Sequence, residues 1–208
     1  MQTFLPHDPV SRLAVREGHK PDFAWTAQSL GDLRLNKQIV ETYQILKSLS
    51  FPNERVWEPD GKLRYPAWRR HPATLQWEGY EHILYQYGFQ MIQEWERRGR
   101  KADRHKENYY WIQENQQYDH SRTDLPWWFA EEWMVKVNFT HRARLFTKNP
   151  VRYAQWEAES IKFRSDKNKY TCCDRCWYWW PAHAAKTMNT KSIKAPTINP
   201  LTSPTIVL

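Results

Sequence analysis

The sequence predicts a mainly α protein: a compact single domain of about three long helices with long loops, followed by an irregular tail. Apolar residues recur at helical steps in separate stretches, and proline or glycine marks the ends of those stretches. No stretch alternates apolar and polar residues as a half-buried strand would. The domain is expected over residues 1–181 and a Pro-rich extended or disordered tail over 182–208.

Leu35, Ile39, Tyr43, Leu46 and Leu49 follow one another at steps of four, four, three and three, the repeat of one helix face. That first helix begins near Ser29 and stops at Pro52. Residues 51–70, with Pro52, Pro59, Asp60-Gly61 and Pro66, read as a connecting loop. A second, longer helix starts with Pro72 in its first turn and closes at Gly99, with Ile83 or Leu84, Tyr87, Met91 and Trp95 as its buried stripe. Gly79 and Gly88 interrupt its propensity, so a close helix crossing or a ligand approach is expected there. Residues 100–126 are polar and read as an excursion holding a short helix within 104–118. A third helix runs from Pro126 or Trp127 to about Lys148, where Pro150 ends it.

The chain has 31 Lys and Arg against 23 Asp and Glu, a net charge of +8, together with thirteen Trp and eleven Tyr. Positive charge favours an anionic partner, and flat rings can stack on bases as readily as they build a core. Nucleic acid is therefore the leading partner class. No apolar run approaches the roughly 20 residues a membrane helix needs, and "MQTFLPHDPV" lacks the basic and apolar regions of a secretory signal. Cys172, Cys173 and Cys176 lie too close together for a disulfide framework, so a reducing, cytoplasmic setting is expected. The CxxC formed by Cys173 and Cys176 has zinc spacing, with His183 or His141 as a further ligand, but no second CxxC accompanies it. No other cofactor is expected. A dimer, if formed, is expected through the tail.

Three polar constellations could carry chemistry. On the first helix Arg34, Lys37, Gln38 and Glu41 occupy the face opposite the apolar stripe. At the second helix His71, Trp77, Tyr80 and Glu81 lie close in sequence, and a carboxylate held near rings can serve as a general acid or base. On the third, His141, Arg144 and Lys148 form an i, i+3, i+7 stripe with Arg142 alongside, the pattern of a phosphate-binding edge. Each of these also reads as an ordinary solvated helix face.

The order "TFLP", "LGDLRLNKQIVETYQIL", "HPATLQWEGYEHIL", "EWERRG", "LPWWFAEEW", "THRARLFTKNPVRY" and "WYWWP" resembles the bacterial and phage family related to pyrimidine-dimer DNA glycosylases of the endonuclease V type. The resemblance spans residues 3 to about 181. It implies a compact helical domain in which an N-terminal α-amine attacks C1′ of the damaged nucleotide, forming a Schiff base that leads to abasic-site cleavage. A Glu on the first long helix would assist, and basic residues would grip a kinked duplex.

Carried onto this sequence, the amine is that of Met1, because the bulky Gln2 disfavours removal of the methionine; Lys37 is a second candidate amine. Leu35 aligns near the family's Glu, leaving Asp32 or Glu41 to supply that carboxylate, while Glu81 on the second helix remains a separate candidate acid or base. Arg34, Gln38, His71, Trp77, Tyr80, His141, Arg142, Arg144 and Lys148 would face DNA. A non-catalytic DNA-binding protein and an enzyme that modifies a DNA base or nucleotide in the same pocket are the alternative readings.

Overall fold

The computed structural model describes residues 3–6, 22–51, 54–66, 68–115, 124–171 and 177–182. The predicted tail beyond residue 182, Met1, and all three cysteines fall outside these residues, as does His183. Among the described residues the structure is mainly helical, with one two-stranded antiparallel ribbon. No helix among them is long and apolar enough to cross a membrane.

The first two helices are α1 (Phe23–Ser29) and α2 (Asp32–Ser50). Asp22 caps α1 by accepting from the Trp25 amide at 2.8 Å. Leu35, Ile39, Tyr43 and Leu46 of α2 are buried, as their spacing predicts, and Leu49 packs at the margin of the core. The predicted loop after α2 contains a short ribbon, β1 (Val56–Trp57) paired with β2 (Leu63–Arg64). Glu58 ties this ribbon to α2 through Lys47, and also binds Arg64 at 2.6 Å.

The second long helix is not continuous. It is a single turn, α3 (Pro72–Leu75), followed by α4 (Glu81–Arg97). Between them Gly79 takes φ +81°, a left-handed conformation that ends a helix, and its amide donates to Glu81 Oε1 at 2.9 Å. At the far end Gly99, φ +71°, terminates α4 as its position predicted. Gly88 is where helices cross closely: a Cβ there would sit 2.1 Å from the Tyr109 hydroxyl, which donates instead to the Ile39 carbonyl at 3.1 Å.

Tyr109 belongs to α5 (Asp103–Asn115), so the polar excursion contributes a helix that buries Tyr109 and Ile112 against the core. Next, a 3-10 turn at Trp127–Phe129 leads into α6 (Glu131–Lys148). Two elements that periodicity did not foretell close the chain: α7 (Glu157–Ser165) and α8 (Lys167–Tyr170). The turn after α6 docks on the α1–α2 junction. Tyr153 Oη accepts from the Gly31 amide at 3.0 Å, and Arg152 donates to the Leu30 carbonyl at 3.0 Å.

Candidate active site

The site is built around an N-terminal strand of chain threaded through the core. Thr3, Phe4 and Leu5 are all buried, although they belong to no regular element. A buried backbone outside a helix or sheet must find other partners, and Phe4 and Leu5 find them in side chains, while Thr3 is held by its hydroxyl. Thr3 Oγ1 accepts from Gln76 Nε2 and Trp77 Nε1, both at 3.0 Å. The Phe4 amide donates to Gln38 Oε1 at 2.7 Å, and the Leu5 amide donates to His141 Nδ1 at 2.9 Å. Tyr87 Oη sits 2.8 Å from the Phe4 carbonyl and 2.7 Å from Gln38 Oε1. Burial pushes that phenol well above its usual range, so it remains a donor.

Gln38 links this strand to a carboxylate. Its Nε2 donates to Glu41 Oε2 at 3.4 Å. Arg34, Lys37 and Glu41 stand at i, i+3 and i+7 and so share one side of α2. On α6, Arg144 and Lys148 stand one turn apart, and Lys148 lies in the field of Arg34, Lys37 and Glu41. Burial lowers the Lys148 pKa, and Arg34, Arg144 and Lys37 add to the effect while Glu41 opposes it. Tyr178 lies in the same field: burial raises its pKa, opposed by a hydrogen bond from Arg144. Arg144 also rests over the Trp177 ring, 4.7 Å from its centroid, and its Nε has no partner among the described residues. The result is a basic wall that groups Arg34, Lys37, Arg144 and Lys148 with the carboxylate of Glu41, which Gln38 joins to the threaded strand. Such a surplus of positive charge suits a phosphate backbone.

His141 does not reach this wall as a cation. Its ring is buried between Phe4 and Tyr178, and burial together with Arg142 lowers its pKa to about 3. With Nδ1 accepting from Leu5, the neutral ring carries its hydrogen on Nε2. The ring is buried and holds the strand through the Leu5 amide.

Several other predicted site residues have partners within the fold. Gln38 is fully buried and holds the Phe4 amide. Trp77 is fully buried edge-on against Trp128, 5.0 Å between centroids, and offers no face for a base. Arg142 is buried in an ion pair with Glu159 at 2.7 Å. Leu35 is a core residue. Asp32 binds Arg98 at 2.9 Å and Arg100 at 2.6 Å, which hold its carboxyl below the usual range. Glu81 is engaged by the Gly79 amide at the start of α4, where Tyr80 is the capping position. His71 caps α3 by accepting from the Ala73 amide at 3.1 Å, and packs edge-on against Trp180.

The structure thus brings Arg34, Lys37, Glu41, Arg144 and Lys148 together and assigns Gln38 and His141 to support. It leaves Asp32 and Arg142 in ion pairs away from the Glu41 carboxylate. Sequence reasoning missed Thr3, Phe4, Leu5, Tyr87 and Tyr178. Tyr87 was expected only as part of the buried stripe of the second helix, and the others stood only within "TFLP" and "WYWWP", with no periodicity to mark them. Among the described residues no group of three or more His, Cys, Asp or Glu could hold a metal.

No curated protein and no solved structure matches the chain significantly. The sequence model for pyrimidine dimer DNA glycosylase matches residues 1–108, a stretch that includes the threaded strand, the Arg34–Lys37–Glu41 face and α4. That match spans just over half of the 208 residues, and the chain belongs to the pyrimidine dimer DNA glycosylase family.

Proposed function

We propose that the protein excises a damaged or modified pyrimidine from DNA and cleaves the resulting abasic site through an imine to its own N-terminal amine. Glu41 serves as the acid–base carboxylate, and Arg34, Lys37, Arg144 and Lys148 bind the phosphates. One observation carries the reading: Gln38 joins the Phe4 amide to the Glu41 carboxylate, so the start of the chain and the carboxylate share a wall.

The chemistry needs only these groups. An α-amine with a pKa of roughly 8 is partly neutral at physiological pH and can attack C1′. The bond from C1′ to the base breaks, and the base leaves with a proton. Opening of the C1′–O4′ bond then gives the imine, with O4′ taking a proton and the nitrogen losing one. Glu41 removes a proton from C2′, and the electron pair expels the 3′ phosphate by elimination. Water hydrolyses the imine and restores the amine. The protein's part is to hold Glu41 near C2′ and to neutralise phosphate charge as it develops.

Borohydride reduction during reaction with a duplex carrying an abasic site should trap a covalent adduct, and peptide mapping should place it at the N-terminal amine. An adduct on Lys37 or Lys148 would transfer the nucleophile's role to that lysine. Unmodified protein that nonetheless binds the duplex would leave a DNA-binding role without lyase chemistry.

A further inference from the structure

The structure assigns a second DNA-engaging element outside the Glu41 wall: we propose that Trp68 stacks on a base unpaired by opening of the duplex at the lesion. The inference rests on the glycosylase reading above and adds the residue that occupies the opened helix. Enzymes that act on a base within a duplex must take a nucleotide out of the stack, and this leaves unpaired base faces exposed. A flat ring next to positive charge is the side chain suited to cover such a face.

Trp68 is 53% exposed, which is unusual for a ring of its size beside an aromatic core. It is also the described non-glycine residue with positive φ, at 75°. A bulky side chain disfavours that conformation, and such strain persists only where the surroundings enforce it. Here they do so from the C-terminal side. The Trp68 carbonyl accepts from the His71 amide at 2.9 Å, closing a turn through Arg69 and Arg70, and His71 in turn caps α3. The ring is therefore presented from a fixed turn.

Its position relative to the wall is traced by consecutive ring contacts. Trp68 meets His71 edge-on at 5.6 Å, His71 meets Trp180 at 5.7 Å, and Trp180 meets Tyr178 at 5.2 Å. Tyr178 is the ring bonded to Arg144 and in the field of Glu41. Nearby, the ribbon anchored to α2 exposes Trp57, while Tyr65 beyond it carries Arg55 over its face at 4.9 Å. The segment that leads to Trp68 thus exposes further rings and an arginine, side chains suited to single-stranded or opened nucleic acid.

The test uses the full chain and three duplexes of one sequence: intact, carrying a tetrahydrofuran abasic analogue that cannot form an imine, and carrying a natural abasic site. 2-Aminopurine is placed opposite the analogue to report unstacking. Wild type should bind the analogue duplex more tightly than intact DNA. Trp68→Gly relieves the backbone strain while deleting the ring. It should lower that preference by roughly tenfold and weaken the 2-aminopurine signal, with affinity for intact duplex unchanged. Trp68→Phe should restore most of the preference. If Trp68→Gly unfolds early, Trp68→Leu, which keeps apolar bulk without a flat face, should show the same loss. Full preference in the Gly or Leu variant, with wild type still cleaving the natural site, would overturn the role of Trp68 alone. Wild type that neither prefers the analogue nor cleaves the natural site would overturn the glycosylase reading and this proposal with it.

Discussion

Asp32 and Glu41 are carboxylates on the same helix, nine positions apart, and the structure puts them to opposite uses. Nine residues make about two and a half turns, so the two side chains leave α2 on opposite sides. Asp32 faces Arg98 and Arg100. Arg98 also binds Glu94 and donates to the carbonyls of Ala27, Gln28 and Leu30, so its charge is consumed in closing the end of α1 onto α4. Glu41 faces Arg34, Lys37, Arg144 and Lys148, and it is the acidic group in the electrostatics of both Lys148 and Tyr178. A carboxylate whose arginines are occupied by backbone and further acid is structural. One grouped with cations is the carboxylate beside which we propose that DNA binds.

The largest effect that separates them is catalytic. Glu41→Gln keeps the shape and the hydrogen bond to Gln38 but cannot take the C2′ proton. Single-turnover cleavage of an abasic duplex should fall by about 100-fold or more, while binding holds or tightens. Asp32→Asn should leave cleavage within a few-fold and lower the melting temperature. Equal losses of cleavage in both variants would erase the distinction between the two sides of the helix.

This contrast was half legible in the sequence. Helix pitch is a local property, so the spacing of Arg34, Lys37 and Glu41 already implied one face, and the burial of Leu35, Ile39 and Tyr43 followed from the same count. Which carboxylate faced the site was not legible, because that depends on Arg98 and the N-terminal strand, both distant in sequence. Gln38 looked like a member of the solvated face, and only the threading of Phe4 behind it explains why an amide is buried there. The break in the predicted second helix had a visible cause in Gly79, but glycine alone does not say whether a helix bends, ends or continues. Likewise, Arg142 and Arg144 sit two positions apart on α6. Glu159, from a helix that the sequence did not announce, decides that the first is an internal ion pair.

His141 sharpens the comparison from within the core, with a smaller effect. Its pKa of about 3 lies below the ordinary value of 6.5, so the folded protein binds fewer protons than the unfolded chain between those limits. Stability must therefore rise with pH through this window, and acidification from pH 6.5 must weaken the fold, by at most about 1.4 kcal/mol per unit from this group. His141→Asn retains an acceptor for the Leu5 amide but does not titrate. It should start less stable, having lost the ring contacts to Phe4 and Tyr178, yet show a flatter dependence on pH. Urea unfolding of both proteins at several pH values between 5 and 7 measures the difference in slope. Parallel slopes would mean that the ring is not held neutral in the folded core.

The finest distinction concerns the cations themselves. Lys148 stands with Arg34, Lys37 and Arg144 in the field of Glu41, whereas Arg100 is paired with Asp32 on the opposite side of α2. Both are exposed, and both lose one positive charge on substitution by Gln. Net charge alone would make the two variants equivalent toward DNA. If phosphates follow the Glu41 wall, Lys148→Gln should reduce the slope of log binding constant against log salt by about one, since one fewer counterion is released. Arg100→Gln should leave that slope unchanged. Fluorescence anisotropy with an uncleavable duplex between roughly 50 and 200 mM salt resolves such a change. Equal slopes for the two variants would show that the duplex responds to the protein's overall charge, and the wall around Glu41 would lose its claim to hold the phosphates.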